Sequence, residues 1–215
     1  MQIKYKEWVK IKRKGFLYED TYKLENIISA FNEVCRNTHN KRKVDKYKFY
    51  KCVYISRVYE ILKNRQYVPG PYNKFIIYEP KKRLICSQGM VDKTINHLIS
   101  RYILYPALMP CLVQENVASR LDLGTNAGLR LRRDYAKICK AKYGSYYILK
   151  CDISKFFYSI DHDILKEKVK RRIKDKDALH IVFQIIDSEE HRFKHWLYDQ
   201  SSSCDFLFKW YGSFY

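Results

Sequence analysis

Apolar residues at Leu24, Ile27, Ile28, Phe31 and Val34 recur at three- and four-residue steps, the spacing of one helix face. A basic stretch from Lys41 to Lys51 leads into a second such face, Val53, Ile55, Val58, Ile61 and Leu62, which ends at the punctuation Pro69-Gly70-Pro71. The period then changes. β-forming residues at 75–78 and Leu84-Ile85-Cys86 flank the turn Glu79-Pro80-Lys81-Lys82-Arg83 and predict a hairpin. From Asp92 the helical period resumes through Ile95, Leu98, Ile99, Tyr102 and Ile103, and proline chemistry should stop that helix before Pro106.

Thr125 is placed to cap a further helix with Leu131, Tyr135 and Ile138 inside. Tyr146-Tyr147-Ile148-Leu149 reads as a short strand that delivers Asp152 to its end. Asp161 then caps a helix with Ile164, Leu165, Val169 and Ile173 inside, and Ala178 to Ile186 begins another. No internal repeat interrupts this order.

Composition narrows the picture. The 215 residues are 47% hydrophobic and 16% aromatic, with only 7 Gly and 5 Pro, so the chain should fold for most of its length. Forty-two Lys and Arg against 23 Asp and Glu give a formal charge of +19, which points to a polyanionic partner, nucleic acid first. The seven cysteines form no C-x-x-C pair, so buried free thiols are expected rather than zinc or a disulfide framework. The N-terminal MQIKYKEWVKIKRKG has no apolar core of a secretory signal. The longest apolar run, Tyr102 to Val113, is too short for a bilayer. A cytoplasmic protein without membrane contact is expected.

The segment YILKCDISKFFYSIDHDIL, residues 147–165, concentrates the candidate chemistry. A carboxylate at a strand end suits a hard cation, although a lone aspartate there is more often a turn or cap residue. The context decides: D-I-S-K-F-F-x-S-I-D-H closely resembles the first palm motif of bacterial reverse transcriptases of the group II intron, retron and diversity-generating retroelement type. Two upstream segments extend the resemblance. Lys81-Lys82-Arg83-Leu84-Ile85 with Asp92-Lys93 is similar to the first fingers motif, and Ala118-Ser119-Arg120 with Gly124-Thr125 to the second. Asp122 and Leu123 depart from that second pattern.

The resemblance implies an RNA-directed DNA polymerase that joins deoxynucleotide triphosphates to a primer on an RNA template by two-metal phosphoryl transfer. It gives Asp152 the catalytic and Mg2+-binding role, with the carbonyl of Ile153 as a further metal ligand. Lys82, Arg83 and Arg120 would contact nucleotide and template. Phe157 would lie under the incoming sugar and exclude a 2′-hydroxyl. The implied fold is α/β, right-hand polymerase fingers plus an incomplete palm and no thumb. Its divisions are a helical region at 1–74, fingers at 75–145, a truncated palm at 146–190 and a tail at 191–215.

The family also requires Tyr-x-Asp-Asp, and this chain has no adjacent Asp-Asp pair. Its last stretch, HRFKHWLYDQSSSCDFLFKWYGSFY, loses the earlier helical period. Read one nucleotide later, one permitted codon choice gives T-G-L-S-I-G-S-M-T-S-Q, similar to the missing downstream motif. Trp196 before Leu197 and Trp210 before Tyr211 force glycine in that frame. A frameshift between about Ser188 and Arg192 is therefore expected, leaving a chain unable to polymerise. The alternative is a non-catalytic RNA-binding remnant of a retroelement protein. With part of the palm missing, the apolar faces between Asp161 and Ile186 are expected to lack a partner.

Overall fold

A computed structural model describes residues 12–78, 82–113, 115–117, 120–121, 123–151 and 160–188, with Arg83, Leu84 and Cys86 described by backbone alone. The tail at 191–215 lies outside the described residues. A short 3-10 turn, Glu19–Tyr22, precedes α1 (Leu24–Asn37), α2 (Lys41–Phe49) and α3 (Lys51–Lys63). The hairpin β1 (Asn73–Ile77) and β2 (Arg83–Ser87) follows, then α4 (Met90–Leu98), a π-helical stretch Ile99–Leu104 and the single turn α5 (Tyr105–Leu108). α6 (Thr125–Tyr143), α7 (His162–Lys170) and α8 (Lys176–Asp187) complete the order.

The α/β expectation is overturned: the described residues are mainly helical. Its one sheet among the described residues is the two-stranded antiparallel hairpin, in which Asn73 pairs with Ser87 and Ile77 with Arg83. The predicted palm strand is absent. Tyr146 to Leu149 runs without a ladder, with Tyr147 and Leu149 fully or nearly fully exposed. A strand needs a neighbour for its N–H and C=O groups, and none is described beside this run.

The core grows from the predicted helical faces. α1 buries Ile27, Phe31 and Val34 against α3 and α4, and α2 is pinned by Val44 and Tyr47. Phe31 and Tyr47 stack with ring centroids 4.4 Å apart. The Tyr47 hydroxyl lies 3.0 Å from Thr94 Oγ1, which itself donates to the Met90 carbonyl, so the tyrosine is the donor. Burial is the first cause holding that phenol well above its usual range.

Pro106 does not stop the fourth helix. In a regular α-helix its ring would crowd the carbonyl four residues back. The wider π turn ahead of it, where Tyr105 N–H reaches Ser100 O, relieves that crowding and lets the chain continue into α5. Ile99, Ile103, Leu104 and Leu108 stay fully buried through the change of pitch.

α7 and α8 were expected to expose an unpartnered face, and they do not. Leu165, Val169, Ala178, Ile181, Val182, Ile185 and Ile186 are buried and belong to the same cluster as Leu17, Tyr18, Phe31 and Leu108. The chain before α1 supplies the cover. Lys14 bridges Ile173 in parallel fashion, with Lys14 N donating to Arg172 O at 2.8 Å and Lys174 N to Lys14 O at 2.7 Å. Ile164, placed inside by its spacing, is instead 45% exposed.

Candidate nucleic-acid interface

The hairpin carries two of the expected contact residues. Lys82 stands exposed just before β2, and Arg83 opens that strand opposite Ile77. Every residue of β1 is exposed, while Ile85 of β2 is buried. At its base the hairpin is held by polar groups. Gln88 Nε2 donates to the Tyr72 hydroxyl at 2.5 Å, and Asn96 Nδ2 donates to Gln88 Oε1 at 2.7 Å. Gln88 and Asn96 are themselves buried.

Asp92, which the sequence groups with the basic turn, lies in the first turn of α4. Its carboxylate accepts from the Tyr67 hydroxyl at 3.1 Å and from Gly70 N at 3.2 Å, closing the Pro69-Gly70-Pro71 loop onto α4. A Cβ on Gly70 would meet Asp92 Oδ2 at 2.8 Å, so the loop needs glycine for this approach. Tyr72, Gln88 and Asn96 were not singled out from sequence. The available signal was two polar residues, Thr94 and Asn96, inside an otherwise apolar helical arc.

Arg120 lies in the connection between α5 and α6, half-buried. Its Nη2 donates to the carbonyls of Leu112 at 3.2 Å and Val113 at 2.9 Å, while its Nε is buried without a protein partner. The guanidinium thus braces the local backbone. α6 rises from this connection with Gly124, not Thr125, at the cap, and without a side-chain capping bond.

Only Ala127 of α6 is buried, and the expected inner face is open, with Tyr135 48% and Ile138 53% exposed. Tyr135 is held instead by its hydroxyl, which donates to Glu115 Oε1 at 2.7 Å. That bond is the first cause holding the Glu115 carboxyl below its ordinary range. α6 carries Arg130, Arg132, Arg133, Lys137, Lys140 and Lys142 against Asp134. Gly144, at φ 73, ends it in a conformation glycine adopts freely.

Asp152, Ile153 and Phe157 lie outside the described residues, so they are not placed relative to Lys82 or Arg120. Among the described residues, no three His, Cys, Asp or Glu side chains gather to hold a metal ion. No helix among them is long and apolar enough to cross a membrane. The thiols divide: Cys35 is buried, as expected, but Cys52 and Cys151 are exposed. No protein-family model matches the chain, and no curated protein matches it.

Proposed function

We propose that the chain is the N-terminal part of an RNA-directed DNA polymerase, unable to polymerise by itself, whose present capacity is to hold RNA. The observation that carries this reading is the order of three motifs: Lys81 to Ile85 with Asp92-Lys93, Ala118 to Thr125, and Asp152 to His162. The reading rests on those motifs and on charge rather than on the helical fold. Supporting it, Lys82 is exposed on a hairpin with a fixed base, and α6 offers six cations on a largely solvated helix. In this assignment Asp152, with the Ile153 carbonyl, would bind Mg2+, and Phe157 would meet the deoxynucleotide sugar. Two-metal transfer needs further carboxylates to clamp the second ion, and no adjacent Asp-Asp pair occurs in the chain to provide them.

A second reading, a non-catalytic RNA-binding remnant, is favoured by one feature: α7 and α8 bury their apolar faces among the described residues, in one cluster with Leu17 and Tyr18. Primer extension separates the two. The purified chain, given an RNA template, a DNA primer, Mg2+ and deoxynucleotides, should bind RNA and extend nothing. Detectable extension would refute the claim of inactivity, and failure to bind RNA at low salt would remove both readings. Joining the reading frame one nucleotide later, beyond codon 191, should supply Tyr-x-Asp-Asp and start extension. If that repaired protein binds RNA but stays inert, the remnant reading stands.

A further inference from the structure

We infer that the corner between α2 and α3 is a second RNA-binding surface, which takes unstructured single-stranded RNA by stacking bases on Phe49 and Tyr50 while the cations around them hold the phosphates. It rests on the RNA-binding part of the proposal above, but on different residues from the three motifs.

α2 meets the core through Val44 and Tyr47 alone. At helical spacing, Arg42, Lys46 and Phe49 form one stripe on the side diametrically opposite those anchors. A core-facing helix ordinarily turns polar groups outward, and a phenyl ring at the end of this stripe adds little to the buried core. Phe49 is 81% exposed, and the Tyr50 ring lies against it edge to face at 4.9 Å. Val53, in the first turn of α3, extends the apolar patch.

The charge around it is one-sided. Seven Lys and Arg lie between residues 41 and 57, against Asp45 alone, and all seven are exposed. None makes an ion pair among the described residues, although elsewhere Lys23, Arg65, Arg101 and Lys166 do. Aromatic faces set among unpaired cations on a firmly packed helix are what single-stranded nucleic acid binds: the backbone follows the charge and any base can stack. An acidic polypeptide would satisfy the charge but would leave the rings unused.

The test uses the full chain and a fluorescent oligouridylate, followed by anisotropy across a salt series. Phe49→Ala with Tyr50→Ala should weaken binding on the order of 5- to 150-fold per stacked base while leaving the salt slope unchanged. Phe49→Trp should keep the wild-type affinity. Lys46→Ala with Lys48→Ala should instead flatten the slope, by roughly 0.7 for each phosphate that is no longer neutralised. Because the substituted side chains are exposed, circular dichroism should show an unchanged helical signal. Wild-type binding that is indifferent to both aromatic substitutions would overturn this inference and leave the proposed function standing. Polyglutamate bound as tightly as oligouridylate, and equally by Phe49→Ala, would overturn it in favour of a generic anion surface. A wild-type chain that ignores oligouridylate at low salt would overturn both.

Discussion

The Asp175 carboxylate accepts four backbone N–H groups from two places in the chain. Oδ1 takes Asp177 N and Ala178 N, both at 3.1 Å, and so caps α8; Oδ2 takes Leu17 N at 2.8 Å and Tyr18 N at 2.9 Å. Burial pushes its titration up, but the four N–H donors outweigh that and hold the carboxyl below its ordinary 3.8. A depressed folded value means the stabilisation is complete above 3.8 and disappears as pH falls through the folded value. Asp175→Ala should therefore lower stability by about 1–2 kcal/mol near neutrality, and the gap to wild type should close on acidification below 3.8. Urea titrations across pH measure it, and a gap independent of pH would contradict the assignment.

Tyr18 fastens the same corner. Its hydroxyl donates to Leu62 O at 2.7 Å, and burial raises its pKa to about 12 despite the opposing Arg65 guanidinium. Sequence shows Asp161 as a cap because its partners, Asp163 N and Ile164 N, lie within three residues. Asp175 caps in the same way, but its second pair of donors is 157 and 158 residues away and leaves no local trace.

Among the elements, the hairpin was legible because two short β-forming runs on either side of a Pro-Lys-Lys turn have few other solutions. Its seating was not, since that depends on Tyr72, Gln88 and Asn96 meeting across three separate segments. Gln88→Ala would strip a partner from both others, one of them the buried Asn96 amide. We expect a loss of about 1–3 kcal/mol, with amide exchange accelerating in Asn73–Ile77 before it does in α4. Uniform acceleration would mean that the network stabilises the core generally and does not seat the hairpin.

α6 shows the opposite failure. Its periodic Leu131, Tyr135 and Ile138 predicted an inner face, but periodicity names only the side that would be buried, and among the described elements no neighbour covers it. The run at Tyr146 to Leu149 misled for a related reason. Four apolar residues in a row suit a strand only when a ladder exists to receive them.

At the scale of the molecule, most buried apolar residues form one cluster reaching from Leu17 to Ile186, across the boundaries drawn at 74/75 and 145/146. Leu108→Ala and Leu165→Ala, both at fully buried positions, should each cost about 2–5 kcal/mol and shift one and the same unfolding transition. Two transitions, with one substitution affecting each, would show that the helices after α6 fold apart from the rest. Among the described residues, cations without an ion-pair partner are prominent at the α2–α3 corner, where a sequence reading sees only one more basic stretch.

The bridge from Lys14 to Ile173 also sets an order of events during synthesis. Ribosomes add about 5–20 residues per second, so the 157 residues that separate Tyr18 from Asp175 take roughly 8–30 s to appear. Throughout that interval the amides of Leu17 and Tyr18 lack their Asp175 acceptor, and the side of the core that α8 will cover stays open. The nascent protein cannot close as it emerges. Its last apolar surfaces are sheltered only after α8 has left the exit tunnel, which makes the growing chain, rather than the finished one, the form most exposed to chaperones and proteases.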